Sequence, residues 1–175
     1  ERDGRRLDWL RPASPADLER GAPLGMGSFP LAPFSNRIRD GRFVFRGRTI
    51  DLPLNFPPEC HVLHGHGWQS AWDVVARTDV AVEIVCDHPA DAWPFPYRAR
   101  QRIALLDDGL AMTIAVENRG AEAMPVGIGH HPYFVRTPEC RVTANVEKYW
   151  MNDAEVMPVE LRAPSPGRDP GIGIR

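Results

Sequence analysis

The chain has 175 residues, 43% of them hydrophobic and 25% charged, which is enough for one domain with a substantial core. A formal net charge of -2 gives no electrostatic ground for a nucleic-acid partner or an anionic membrane surface. No apolar run is long enough to span a bilayer, and the polar start Glu1-Arg2-Asp3-Gly4-Arg5-Arg6 has no apolar segment behind it, so no signal peptide is visible.

Eighteen prolines and fifteen glycines punctuate short segments and leave little room for long helices. One helical turn is predicted near the start, with Ser14 as N-cap, Pro15 as first residue and Gly21 as stop. Phe43-Val44-Phe45 and Thr49-Ile50-Asp51-Leu52 flank Arg46-Gly47-Arg48 and read as a hairpin. Val80, Val82, Ile84 and Cys86 alternate as one strand face. From Tyr97 to Leu106, Tyr97, Ala99, Gln101, Ile103 and Leu105 face one way, while Arg98, Arg100 and Arg102 line a wet face. Asp107-Asp108-Gly109 turns into a strand whose apolar face is Leu110, Met112, Ile114 and Val116. After a turn at Asn118-Arg119-Gly120, the run Met124 to Gly129 leads to the histidine pair His130-His131 at a strand end. Strands at this spacing without intervening helices predict an all-β protein, an antiparallel sandwich or barrel, read as one domain over 1–175.

The positive charge is almost all arginine, Lys148 being the only lysine, which we read as compositional bias. Cys60, Cys86 and Cys140 are odd in number and widely spaced, which suggests neither a disulfide framework nor a metal knuckle and fits a reducing cytoplasm.

Histidine is the side chain whose charge changes nearest neutral pH, so the histidine segments are the places to look for chemistry. Pro132 restricts His131 to extended backbone, and Tyr133 and Phe134 can pack beside it. Such a histidine serves either as a general acid or as a core histidine satisfied by a backbone carbonyl. His64 precedes Gly65, which lets a ligand or a backbone approach closely; the alternative is a loop histidine facing water. His61, His64 and His66 are a second possibility, three imidazoles for a metal in a β-barrel enzyme, although no acid follows before Asp73. Asn36-Arg37 puts a guanidinium fork beside an amide, a donor set suited to hydroxyl-rich ligands. Trp68, Trp72, Trp93, Phe95 and Tyr97 could offer flat faces to a sugar ring, but such aromatics mostly pack the core and none is assigned to the site. The carboxylates Glu117, Glu139, Glu147, Asp153 and Glu155 are scattered, and none pairs with a histidine motif at a readable spacing.

Taken in order, Ala32-Pro33-Phe34-Ser35-Asn36-Arg37-Ile38 with Gly41-Arg42-Phe43, then Leu63-His64-Gly65, Trp93-Pro94-Phe95-Pro96-Tyr97 and His131-Pro132-Tyr133-Phe134 resemble the aldose 1-epimerase (galactose mutarotase-like) family. The resemblance implies a large antiparallel β-sandwich with a sugar cleft on one sheet, and interconversion of the anomers of a free aldose without cofactor or metal. It implies His131 as general acid and His64 and Arg37 as substrate-orienting groups, with Asn36 in the same motif. It also implies a small-molecule sugar as partner, and leaves the oligomeric state open. The family's general base is a glutamate in a later C-terminal motif, and a sugar-binding aspartate lies in that half as well. Neither motif is met before Arg175, so the chain is expected to be a piece of the family domain, incomplete at its C-terminus and shortened at its N-terminus. A non-catalytic carbohydrate-binding module of the same fold is the alternative.

Overall fold

The structure is a computed structural model, which describes residues 4, 7–138 and 146–164. The described residues form two compact units, 1–135 and 136–175, taken separately below.

The first unit opens with the predicted helical turn, α1 (Pro15–Arg20). Ser14 accepts the Asp17 N–H through its hydroxyl, and Gly21 closes the turn in the left-handed region at φ 59°. Ten strands follow. They are β1 (Ser28–Leu31), β2 (Arg37–Ile38), β3 (Arg42–Phe45), β4 (Arg48–Asp51), β5 (Val62–Leu63), β6 (Asp73–Arg77), β7 (Ala81–His88), β8 (Tyr97–Leu106), β9 (Gly109–Asn118) and β10 (Gly129–Pro132). All the ladders are antiparallel: β1 with β10, β2 with β5, β3 with β4, and a four-stranded sheet in the order β6-β7-β8-β9.

The β3–β4 hairpin turns on Arg46 (φ 50°) and Gly47 (φ 78°). Two left-handed residues in a two-residue loop match the twist of the flanking strands. In the four-stranded sheet, Tyr97, Ala99 and Gln101 of β8 are buried. Tyr97 and Ala99 join a core with Ile50, Leu52, Val62, Phe34, Trp93 and Phe95, so the sheet packs a second β layer to make a sandwich. The opposite face carries Arg98 paired with Asp87 and Arg100 paired with Glu83 across the β7–β8 ladder. Two of the three guanidinium groups in the row thus meet acids on the neighbouring strand.

The expected alternation fails at several places among the described residues, Leu110 at the start of β9 among them. Leu105 is exposed and Ala104 buried, the reverse of the pattern expected for β8. Val80 precedes β7 and is exposed, while Val85, off the expected face, is buried beside Cys86. Strand pairing after Asn118 resumes as a ladder only at Gly129, with a single bridge from Gly127 to Phe34, so Met124 to Val126 run as irregular chain. The departures at Leu105, at Val80 and after Asn118 lie at a strand end or in a connection, where the pleat no longer fixes which side is covered, whereas Val85 lies within β7.

The second unit contributes one antiparallel ladder, β11 (Tyr149–Asn152) with β12 (Pro158–Arg162), with Met157 buried next to it. The turn is organised by Asp153, whose Oδ1 accepts the N–H groups of Glu155 and Met157. Glu139 and Cys140 lie outside the described residues. No helix among the described residues is long and apolar enough to cross a membrane.

Candidate sugar site

Three chain segments meet around His64. On β2, Arg37 is paired with Leu63 of β5. The next residue, His64, donates its N–H to the Asn36 carbonyl at 2.9 Å. Asn36 (φ 59°), His64 (φ 58°) and Gly65 (φ 67°) are all left-handed. Asparagine tolerates that region and glycine favours it, but for histidine it is uncommon and carries a conformational cost. At Gly65 no other residue fits: a Cβ there would lie 2.2 Å from the Ala32 carbonyl oxygen. That close approach lets His66 and Gly67 donate to the same oxygen at 2.8 and 2.9 Å.

The loop is clamped from the side by Asn55. Its Nδ2 donates to the carbonyls of Leu63 (2.7 Å) and Gly65 (3.2 Å), and its Oδ1 accepts the Leu63 N–H at 2.9 Å. Asn55 therefore holds the backbone on both sides of His64. Nothing in the sequence around it marks it out.

On β10, His131 is opposite Phe29 of β1. The His131 ring lies 4.7 Å from the Phe29 ring and 4.8 Å from that of Tyr133. Beyond Tyr133 the Arg11 guanidinium sits 4.0 Å over the phenol ring and donates to the carbonyls of Leu24 and Met26. Phe29, Leu31 and Trp68 form a small apolar cluster, flanked by Phe56 and Tyr133, beneath the two histidines.

His64 and His131, 67 positions apart in the sequence, have ring centroids 5.4 Å apart with planes at 74°. Burial lowers the His64 pKa to about 4, with smaller contributions from the charges of His131 and Arg37. It is a neutral imidazole at pH 7. Burial also lowers the His131 pKa, its own backbone offsets part of this, and the Arg11 charge lowers it further. Arg37 is largely buried, its Nε 3.7 Å from Glu59 Oε2. The structure therefore brings Arg37, His64 and His131 together, with Asn36 adjacent through its carbonyl.

Sequence reasoning missed Phe29, Asn55 and Glu59. Only Phe29 carried a usable signal, as an aromatic in a short apolar run. Trp68 is buried with its ring centroid 6.3 Å from that of His64, whereas Trp93, Phe95 and Tyr97 belong to the core. The three histidines weighed as a metal trio go to three different neighbourhoods. His61 is buried, with Nδ1 accepting the Asp40 N–H at 3.1 Å. His64 faces His131, and His66 stacks on His88.

An antiparallel sandwich with two imidazoles and a guanidinium in one place defines a class before it defines a protein. The sequence profile of the aldose 1-epimerase family matches residues 1–167, and the chain belongs to that family. The chain is 37% identical over 142 residues to "Uncharacterized protein YphB" of Escherichia coli K12, covering 81% of this chain and 47% of that one. Among solved structures, a candidate aldose 1-epimerase from Escherichia coli K12 superposes with a TM-score of 0.79 at 34% identity, covering 91% of this chain and 53% of that one. The GalM/aldose epimerase homologue from C. elegans superposes with a TM-score of 0.70 at 17% identity, covering 93% and 52%, and supports the fold alone. The fold is thus the galactose mutarotase-like sandwich, and the chain spans about half the length of the relatives it matches.

Proposed function

We propose that this chain carries the acid-side half of a site that interconverts the α and β anomers of a free aldose. The observation that supports this most is the convergence of His64, His131 and Arg37 from distant parts of the sequence. In this reading His131 protonates the ring oxygen as the C1–O5 bond breaks and its electron pair moves to O5. A base takes the anomeric hydroxyl proton, leaving a carbonyl at C1. Rotation about C1–C2 and reclosure, with the proton transfers reversed, deliver the other anomer. The base is assigned to the half of the family domain that this chain does not span.

The environment of each group suits its role. A desolvated imidazole with a lowered pKa is, once protonated, a stronger acid than free imidazole. His64 stays neutral and can hydrogen-bond a sugar hydroxyl without adding a second positive charge beside Arg37. Its Nδ1 and Trp68 Nε1 are buried and make no hydrogen bond among the described residues. Buried polar atoms of this kind are costly unless a ligand satisfies them. Arg37 supplies a preorganised fork of donors for hydroxyl oxygens, with the Asn36 segment fixing the backbone beside it.

The test is polarimetry on freshly dissolved α-D-glucose and α-D-galactose with the full-length protein. Acceleration over the buffer blank is expected for at least one aldose. Sugar binding by calorimetry with no acceleration for any common aldose would replace this reading with that of a binding module.

A further inference from the structure

A second imidazole cluster lies on the other side of Gly65. His66, from the loop after β5, stacks on His88 at the end of β7, with ring centroids 3.9 Å apart and planes within 10°. His88 Nε2 is 3.2 Å from Asp91 Oδ1. Tyr97 Oη, from the first residue of β8, is 3.4 Å from His66 Nδ1. The sugar site uses none of these side chains.

We propose that His66, His88 and Asp91 form a binding site for one divalent transition-metal ion of the zinc class, which ties the His64-bearing loop to the four-stranded sheet. One ligand atom from each of the three residues lies within 4.8 Å of the others. In a tetrahedral site with bonds of about 2.0–2.1 Å, ligand atoms stand about 3.3 Å apart, so the three are within reach of closure. Two imidazole nitrogens and one carboxylate oxygen are a borderline donor set, preferred by Zn²⁺ and its neighbours over Mg²⁺ or Ca²⁺.

The surroundings supply what such ligands need. Tyr97 Oη can accept from Nδ1–H of His66, which fixes the tautomer and leaves the Nε2 lone pair for the ion. Tyr97 itself is buried. Asp91 is oriented by the Trp93 N–H, which donates to Oδ1 at 2.8 Å, while the Trp93 carbonyl accepts the Asp91 N–H. The parallel rings must open like a fan, because an ion lies in the plane of each imidazole it binds. Asp91, half exposed, and His88 at the strand end have room for that change.

Calorimetric titration of the full-length protein with ZnCl₂ at pH 7.5, in a buffer that does not chelate, tests the site. We expect one ion per chain, a rise in Tm on binding, and d–d absorption bands with Co²⁺ as a substitute. His88→Ala and Asp91→Asn should weaken binding at least about tenfold, while His64→Ala and His131→Ala leave it unchanged. Circular dichroism of Asp91→Asn guards against a folding defect, since that side chain is on the surface. No binding at 100-fold excess of zinc over protein, or equal affinity in wild type and Asp91→Asn, would overturn the proposal. Loss of binding in His64→Ala but not in His88→Ala would move the ion to the sugar site and overturn it equally. The outcome is independent of any mutarotase activity.

Discussion

Phe29 and His131 stand opposite each other in the β1–β10 ladder, with ring centroids 4.7 Å apart and planes inclined by 27°. Cross-strand pairs are the unit of sheet stabilisation, and an aromatic pair adds about 0.5–1.5 kcal/mol beyond its area. This one also sets the plane of the imidazole assigned to proton transfer. Phe29→Leu keeps most of the buried apolar volume and removes the flat face. The expected result is a loss of about 1 kcal/mol in urea unfolding and a fall of about tenfold in kcat, with KM little changed, because orientation is worth more to the reacting geometry than to binding. Equal loss in kcat/KM and stability with kcat intact would show that Phe29 only packs.

His131→Gln retains a polar side chain of similar reach but cannot carry a proton to the ring oxygen. A positioned acid contributes about 10²- to 10⁴-fold, so mutarotation measured by polarimetry should fall into that range while the thermal midpoint moves by only a few degrees. A rate equal to wild type would make His131 a core histidine of the β1–β10 ladder.

The sandwich itself was legible because the strands of the four-stranded sheet obey a period of two where they are covered. Tyr97, Ala99 and Gln101 point into the core, and Arg98 and Arg100 do not. The cap at Ser14 and the turn at Arg46-Gly47 were legible for a different reason, since local backbone chemistry decides both. Partnership at a distance is not legible in periodicity or spacing; only the family resemblance joined His64, Arg37 and His131 in one site. His64 meets His131 only because the short β1–β10 and β2–β5 ladders are joined where Ala32 bridges Gly65. The left-handed His64 backbone and its clamp at Asn55 follow from the same convergence, as does the placing of His66 against His88. Leu105 shows the converse failure: the pattern names a buried face where the sheet has run past its cover.

Two buried imidazoles make stability depend on pH. In the unfolded chain His64 and His66 titrate near 6.5; in the folded chain both titrate near 4. Between those values the unfolded state binds more protons, so protonation favours unfolding and stability falls as pH drops from about 6.5 to about 4. After discounting for partial solvent screening, each histidine contributes on the order of 1–2 kcal/mol to that fall. Urea unfolding in chelator-buffered solution at pH 7, 5.5 and 4.5 measures it. The difference in stability between wild type and His66→Gln should shrink by about that amount across the window, because glutamine does not titrate. A difference that stays constant with pH would mean that His66 is no harder to protonate when folded.

Asn55 gives a prediction in which two near-isosteric changes separate binding a backbone from merely filling space. Its amide nitrogen donates to the carbonyls of Leu63 and Gly65, and its amide oxygen accepts from Leu63 N–H. Asn55→Asp preserves the acceptor but turns the donor into a second carboxylate oxygen facing two carbonyls. Like dipoles and charge then oppose each other, and the loop on either side of His64 is pushed outward. Asn55→Ala leaves the same groups without partners but without repulsion. A buried unmade hydrogen bond costs about 1–3 kcal/mol, so both variants should lose stability, and Asn55→Asp should lose more at pH 7 than at pH 4, where its carboxyl takes up a proton and regains a donor. The same reversal with pH is expected in the affinity for sugar measured by calorimetry at pH 7 and pH 5, since His64 moves with the loop. If Asn55→Ala and Asn55→Asp are equally destabilised at both pH values, the clamp on the His64 backbone does not exist in solution.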